Sequence, residues 1–205
     1  MATVRNAERI AQWILLGAIA GFGTLVLMSL LTKPQAFIAY LGFATNHIGS
    51  PLAWLLSAFI VAEYVWGASK IPAVREHMFR RTALKLIAVV AAVMVAVVEE
   101  VIFRKWIMDY VDRRGMGSVF QVLASGVAFG SAHAVWGLLG RSVDAAVHAM
   151  VATGILGAAL GVVYLVADRS LAPCIVAHFV ISALIEPGLM VGGLRGHLGL
   201  RAKRA

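Results

Sequence analysis

The stretch TALKLIAVVAAVMVAVVEEVIFRKWIM, residues 82–108, decides the fold class of this protein. Between Thr82 and Val98 the only charged residue is Lys85, and two adjacent carboxylates, Glu99 and Glu100, then follow in apolar surroundings. An apolar run of about 20 residues is long enough to cross the hydrocarbon core of a bilayer as a helix. The stretch therefore predicts a membrane-spanning helix that carries two glutamates at depth.

The whole chain has the composition of a membrane protein. Of its 205 residues, 61% are hydrophobic and 14% are charged, and the mean hydropathy is +0.88. Soluble domains contain about 45–50% apolar residues, so a water-soluble domain is excluded. At about 20 residues per span, the length allows about six spans and no separate soluble domain. We predict an all-α, polytopic membrane helix bundle with about six transmembrane helices and a polar cavity within the membrane.

Apolar runs along the chain place these spans. The first is an uncleaved anchor rather than a signal peptide, because its apolar run continues past the small residues at 18–20. Residues 36–43 are too short to cross and predict an interfacial or re-entrant piece, and the basic, amphipathic residues 69–85 predict a helix or loop at headgroup level. The predicted spans are residues 10–31, 51–67, 82–108, 118–139, 144–166 and 171–190.

Loop charge predicts the orientation. Lys and Arg total 18 against 10 Asp and Glu, which gives a net charge of +8. The six-span arrangement puts twelve of the 18 on the side of the N-terminus, including Arg141 and the basic tail, so the positive-inside rule makes both termini cytosolic. We expect a multi-pass protein of a prokaryotic plasma membrane whose basic residues contact lipid headgroups, and no nucleic acid partner. The single Cys174 excludes an intramolecular disulfide and a thiolate metal cluster.

Ionisable residues within spans are costly and mark candidate functional sites. On a helix Glu100 and Arg104 share a face and can form an ion pair, whereas Glu99 is turned by about 100°. This spacing predicts a structural role for Glu100 and Arg104, and a Glu99 that faces a partner helix as a candidate general base. Taken alone, the pair is equally consistent with a structural ion-pair cluster that joins helices.

Two histidines lie on other spans. His133 follows Phe129 by four residues and His178 precedes Ser182 by four, so each pair shares a helical face. A single histidine in a membrane helix is more often an interhelical hydrogen-bond donor than a catalyst. Two histidines and an unpaired glutamate on three helices could instead converge around one water.

Two further patterns predict packing. Asp144 and His148 are one helical turn apart and predict a second polar pair, with a structural role. Gly157 and Gly161 form a GxxxG pattern, which predicts a close helix crossing because small residues let helices approach in lipid.

Three motifs occur in order on apolar helices, namely Glu99-Glu100-x-x-x-Arg104, Phe129-x-x-x-His133 and His178-x-x-x-Ser182. This series resembles the CPBP family, the intramembrane glutamic proteases that include CAAX prenyl endopeptidases and bacteriocin-processing enzymes. The resemblance covers residues 82–190, about half the chain. Within the single integral membrane domain that length and composition predict over residues 1–205, it implies a family-like catalytic core at 82–190 and variable N-terminal helices at 1–81.

The family pattern also implies a mechanism and a substrate class. Glu99 and His133 would activate a water, His178 and Ser182 would support the oxyanion, and Glu100, Arg104 and Phe129 would support the site. The implied activity is endopeptidase hydrolysis without a metal or other cofactor. The implied partner is a peptide or a C-terminally tagged, membrane-associated protein.

Ser182 departs from the family, which most often has Asn at this position. A hydroxyl can donate a hydrogen bond to an oxyanion but is shorter than an amide side chain. This departure leaves open reduced activity, an altered substrate or a non-catalytic immunity or scaffold protein. The same residues also leave open a proton-coupled carrier and a metalloenzyme with two His and one carboxylate, although a close ligand spacing such as HExxH is lacking.

Depth along the predicted spans gives an expectation for access. Glu99 lies about 25 Å along its helix from the N-terminal side and His178 about 10 Å from the opposite side, at 1.5 Å per residue. We therefore expect the site to lie nearer the non-cytosolic face, which favours exported peptides or sorting tags over prenylated substrates.

Overall fold

The structure, a computed structural model, describes residues 3–44, 48–140 and 142–196, and its regular structure over these ranges is entirely helical. Six helices are long and apolar enough to cross a membrane, which confirms the predicted polytopic all-α class. The short α2 and α4 are the other two helices of the described ranges. The elements are α1 (Val4–Thr32), α2 (Pro34–Tyr40), α3 (Pro51–Ser69), α4 (Pro72–His77), α5 (Ala83–Arg113), α6 (Ser118–Gly140), α7 (Val143–Val166) and α8 (Ala172–Leu194).

Local sequence signals set where the helices begin. The hydroxyls of Thr3, Ser50, Thr82 and Ser142 each accept a hydrogen bond from a backbone N–H in the first turn of the helix that follows. Proline occupies the first turn of α2, α3, α4 and α8, where its missing N–H costs nothing. The predicted spans agree with these helices, although α1 begins earlier and α5 and α8 end later than predicted.

The spans alternate in direction, which defines two faces of the bundle. A buried cluster joins Ala7 of α1, Leu84 of α5 and Val191 of α8, so these helix ends lie together at what we call the N-terminal face. At the opposite, distal face, the Ser50 hydroxyl donates to the carbonyl of Val166 at 2.9 Å. The segment 70–82 and Ser142, at the start of α7, therefore lie at the N-terminal face.

A group of polar side chains holds the distal face together. The Arg169 guanidinium forms ion pairs with Asp109 and, at 3.0 Å, with Asp112, and it donates to the Gln121 side chain at 2.9 Å. Gln121 in turn donates to Asp112 at 2.8 Å. These contacts connect the end of α5, the start of α6 and the turn between α7 and α8.

The segments between the spans differ in part from prediction. Within residues 36–43 the chain forms the end of α2, which is mostly exposed and too short to cross. Between the end of α3 and the start of α5 the basic segment is helical over α4, and Val74 and His77 of α4 are buried against the bundle. Burial is possible because α4 packs against Gly188 of α8, where a Cβ would collide with the Val74 backbone. Arg141 and the basic tail beyond residue 196 lie outside the described residues.

Two spans lose regular α-helical geometry at the motif residues. Residues Val101–Met108 of α5 form π-helical turns, which begin directly after Glu99 and Glu100 and contain Arg104. In α6, a 3-10 turn at His133–Val135 interrupts the helix, so the span predicted to be continuous over 118–139 is broken at His133. Such irregular turns within helices often occur at functional sites.

The helices α6 and α7 form a close crossing through glycines. A Cβ added to Gly126 would lie 2.9 Å from the Gly154 carbonyl oxygen, and one added to Gly130 would lie 2.5 Å from the Met150 carbonyl oxygen. At Gly157 an added Cβ would lie 2.7 Å from the Phe129 Cβ. Gly161 has only ordinary contacts, so the crossing uses Gly154 and Gly157 rather than the predicted Gly157 and Gly161 pair.

A lysine compensates for a proline inside α8. Pro187 has no N–H to donate to the carbonyl of Ala183, the residue four positions earlier. The Lys85 ammonium of α5 donates to that carbonyl oxygen at 2.7 Å. This contact satisfies an acceptor within the bundle and fixes the separation of α5 and α8, the two helices that carry the first and third motifs.

Candidate active site

The centre of the site is a buried ion-pair group between α5 and α8. Glu100 and Arg104 are both fully buried, and Arg104 Nε lies 2.9 Å from Glu100 Oε2. The other carboxylate oxygen, Glu100 Oε1, lies 2.8 Å from His178 Nδ1. The predicted Glu100–Arg104 pair is therefore present, and the structure adds His178 as a second partner that spacing alone did not indicate.

Glu99 differs from its neighbour as predicted. Its side chain is 19% exposed, and Oε2 lies 3.7 Å from His178 Nε2 without a direct hydrogen bond. That oxygen is buried and has no hydrogen-bond partner among the described residues. The two nitrogens of His178 thus face two carboxylates. Nδ1 contacts Glu100, which is also ion-paired with Arg104, and Nε2 faces Glu99, whose Oε2 has no hydrogen-bond partner.

Phe129 separates the two histidines of the motifs. Its ring centroid lies 4.5 Å from that of His133 and 5.5 Å from that of His178. On a third side the Arg104 guanidinium lies 5.0 Å from the same ring. Phe129 therefore packs against all the cationic or potentially cationic groups of the site and sets their separation.

The His133 ring is held by the local backbone. Its Nδ1 lies 2.8 Å from the Phe129 carbonyl oxygen, an acceptor, so Nδ1 carries the proton. In the neutral ring this leaves Nε2 as the acceptor. The 3-10 turn that begins at His133 places this half-buried ring at the wall of a cavity.

One face of α8 continues the polar group toward the N-terminal face. His178, Ser182 and Glu186 are spaced by four residues and all line the same cavity. Glu186 follows Ser182 by one helical turn. Glu186 was missed at the sequence level, although its position one turn after Ser182 on an apolar helix was a signal that could have revealed it.

The cavity has a volume of about 640 Å³. His133, Phe129, His178 and Ser182 line it, whereas Glu99 lies beside His178 and is not part of the lining. The remaining walls come from the ends of α3, α6 and α8 and the start of α7, which all lie toward the N-terminal face. The cavity therefore extends from the ion-pair group toward the N-terminal face.

This geometry corrects the expectation about access. His178 does lie about 9 Å along α8 from its distal end, at 1.5 Å per residue, so the depth was reasonable. The step from depth to access was wrong, because the walls of the cavity run to the opposite face. Depth along one helix says nothing about which neighbouring helices diverge to leave space.

The predicted Asp144–His148 side-chain pair is not formed. His148 Nδ1 instead lies 2.6 Å from the backbone carbonyl oxygen of Asp144, one turn earlier in α7. The side chain of His148 is exposed and lines the cavity. Among the residues that the structure describes, no three His, Cys, Asp or Glu side chains are grouped so as to hold a metal ion.

Six apolar spans around a polar group within the membrane define the class, a multi-pass helical membrane protein with a candidate active site in its interior. Residues 81–184 match the family described as Type II CAAX prenyl endopeptidase Rce1-like. The chain belongs to this family of membrane proteases, in agreement with the resemblance of the three motifs. No curated protein and no solved structure matched the chain.

Proposed function

We propose that this protein is an intramembrane glutamic endopeptidase in which Glu99 activates the attacking water without a metal or other cofactor. The observation that carries the proposal is the buried Glu99 Oε2, which has no hydrogen-bond partner and lies 3.7 Å from Nε2 of a histidine that lines the cavity. A carboxylate oxygen with spare acceptor capacity can take a proton from water. Glu100 Oε2 also makes no hydrogen bond, but it is ion-paired with Arg104 at 2.9 Å and Glu100 Oε1 contacts His178, so this carboxylate is held by two partners.

The proposed reaction uses the groups in sequence. Glu99 takes one proton from a water whose oxygen attacks the scissile carbonyl carbon, with His133 Nε2 accepting the second water hydrogen bond. His178, flanked by two carboxylates, can carry a second proton and donate from Nε2 to the developing oxyanion, together with the Ser182 hydroxyl. When the carbon–nitrogen bond breaks, the proton on Glu99 passes to the leaving amine.

Glu100, Arg104 and Phe129 act in this proposal as positioning residues. Glu100 fixes the His178 ring through Nδ1, and Arg104 balances the charge of Glu100. Phe129 keeps His133 and His178 apart. The proposed unit is one integral membrane domain over residues 1–205 with a core at 82–190, onto which α1 packs through the cluster at the N-terminal face.

The proposed substrate is the C-terminal segment of a membrane-associated protein with a prenyl group. The cavity extends to the N-terminal face, which the loop charges predict to be cytosolic. This direction favours cytosolic, lipid-modified C-termini over exported peptides, and it agrees with the description of the family.

Orientation has a direct test. In a Cys174→Ser background, Arg80→Cys should be protected from a membrane-impermeant maleimide in intact cells, whereas Arg113→Cys should react. The reverse labelling pattern would place the N-terminal face, and with it the cavity, on the non-cytosolic side, and would favour exported peptides as substrates.

Cleavage of a farnesylated peptide by the purified full-length protein in vesicles tests the chemistry. Glu99→Gln should abolish cleavage and leave unfolding unchanged, because the amide keeps the volume but cannot accept the proton. His133→Ala and His178→Ala should each lower kcat by orders of magnitude, with no effect of EDTA or added Zn²⁺. The control is Glu76→Gln, whose exposed carboxylate pairs with Arg80 outside the cavity. Cleavage by Glu99→Gln at a near wild-type rate, or EDTA inactivation that Zn²⁺ reverses, would overturn the proposal.

Ser182 gives a further test of the oxyanion assignment. Ser182→Asn should retain or raise kcat, since the longer amide places the donor that the family most often has. A folded but inactive Ser182→Asn would show that the hydroxyl itself is required and that the oxyanion assignment is wrong.

A further inference from the structure

The charged side chains that line the cavity are all acidic. Glu63 of α3 and Glu186 of α8 are part of the wall, and the lining contains neither Lys nor Arg. Most other lining residues are apolar or histidine. The cavity wall thus offers two carboxyl groups and no basic Lys or Arg side chain.

Neither carboxyl group forms an ion pair with a Lys or Arg side chain. The ion pairs formed within residues 3–44, 48–140 and 142–196 include neither Glu63 nor Glu186. Lys70, a cation near the end of the same helix as Glu63, lies 3.4 Å over the Trp66 ring instead. Carboxylates within membrane spans are rare and usually face a cavity that conducts or binds a charged group. A cavity with two carboxyl groups, neither in an ion pair with Lys or Arg, is suited to a cationic ligand.

We propose that Glu63 and Glu186 form a specificity subsite for a basic side chain of the substrate. This inference rests on the proposed endopeptidase function. Glu186 lies eight residues after His178, which is about 12 Å along α8 toward the N-terminal face. An extended peptide advances about 3.3–3.6 Å per residue, so the basic side chain lies about three residues from the scissile bond.

The direction of the bound chain follows from the shape and charge of the cavity. A substrate cut near its C-terminus leaves a long folded chain on the retained side, and the walls of the cavity that run to the N-terminal face give that chain a route out. The short leaving segment ends in a carboxylate, which Glu63 and Glu186 would repel. The selected Lys or Arg is therefore on the retained side, about three residues before the scissile bond.

Farnesylated peptides that differ only at this position provide the test, with Lys, Ala or Glu at the third residue before the scissile bond. The full-length protein in vesicles should cleave the Lys peptide with a kcat/KM about tenfold above that of the Glu peptide, the effect of one charge-assisted hydrogen bond. Glu186→Gln and Glu63→Gln should each reduce this ratio, and the double variant should bring it close to one. Glu76→Gln, a matched carboxylate outside the cavity, should leave the ratio unchanged.

The ratio separates specificity from structural damage. A variant that only disturbs Ser182 or the fold lowers cleavage of all three peptides by the same factor and leaves the ratio at its wild-type value, which would overturn the inference. Equal cleavage of the Lys and Glu peptides by wild-type protein would also overturn the inference. In that case, loss of all cleavage in Glu99→Gln would still support the proposed endopeptidase function.

Wild-type protein that cleaves none of the peptides would count against the proposed function on this substrate class. Peptide binding affinities then test the inference separately. Fluorescent versions of the same peptides should then bind wild-type protein about tenfold more tightly with Lys than with Glu. The double variant should lose that difference. Equal affinities for the Lys and Glu peptides would overturn the inference on its own account.

Discussion

Lys85 and Pro187 offer the sharpest test of how the bundle holds its third motif in place. Lys85→Met removes the ammonium that donates at 2.7 Å to the Ala183 carbonyl and keeps a long side chain of similar reach. The carbonyl then has no donor, because residue 187 is proline. A hydrogen bond to a charged group contributes about 1.5–3 kcal/mol, and Lys85 is only half-buried, so we expect a loss of about 1–2 kcal/mol in the free energy of unfolding.

Pro187→Ala restores the missing N–H and with it the helical bond to Ala183. In the Pro187→Ala background, Lys85→Met should leave the free energy of unfolding almost unchanged. The coupling energy of the double-mutant cycle should therefore be about 1–2 kcal/mol. Unfolding in mixed detergent micelles, followed by tryptophan fluorescence, measures all four proteins. Lys33→Met, an exposed lysine at a helix end, serves as a control and should change stability by less than about 0.5 kcal/mol. An equal loss from Lys85→Met in both backgrounds would show that the lysine does not act through the orphaned carbonyl.

Three further stability predictions use the same unfolding assay. Arg104→Ala leaves Glu100 buried without its cation and should cost about 3–5 kcal/mol, so normal expression and unfolding would contradict the central ion pair. Gly130→Ala should be strongly destabilising because its Cβ would lie 2.5 Å from the Met150 carbonyl oxygen. Gly17→Ala, whose Cβ would have nothing within 4 Å, should leave stability unchanged or raise it. Equal changes in the free energy of unfolding for the two variants would refute the close α6–α7 crossing. Arg169→Ala should cost about 1 kcal/mol or less, since its side chain is 31% exposed, and that loss should shrink at high salt; a salt-independent loss would show that packing rather than charge holds the distal face.

The order and chemistry of the residues by themselves determine the class of this protein and part of its site. Apolar runs of about 20 residues force helices, since backbone groups in lipid must be satisfied within the segment, and six such runs set the class and the alternation of the spans. The i,i+4 spacing of Glu100 and Arg104 is a local property of a helix, so their pairing was predictable, and so was the different position of Glu99.

Contacts between helices were not predictable from spacing, because they depend on how far apart and at what rotation two helices pack. His178 meets Glu100 only because α5 and α8 pack closely at that level, and nearer the N-terminal face the Lys85 ammonium contacts the Ala183 carbonyl. The GxxxG pattern predicted a close crossing at Gly157 and Gly161 without indicating the partner helix, yet α7 crosses α6 through Gly154 and Gly157 against Gly126 and Gly130.

Access to the site was decided by tertiary structure alone. The sequence gives the depth of Glu99 and His178 along their own helices, and from that depth the distal face was expected to be the open one. The cavity instead lies where α3, α6, α7 and α8 diverge toward the N-terminal face, and it brings in Glu63 and Glu186, which no motif marked. A cavity is the space left between helices, so its direction depends on all of their relative positions and on no single segment of the sequence.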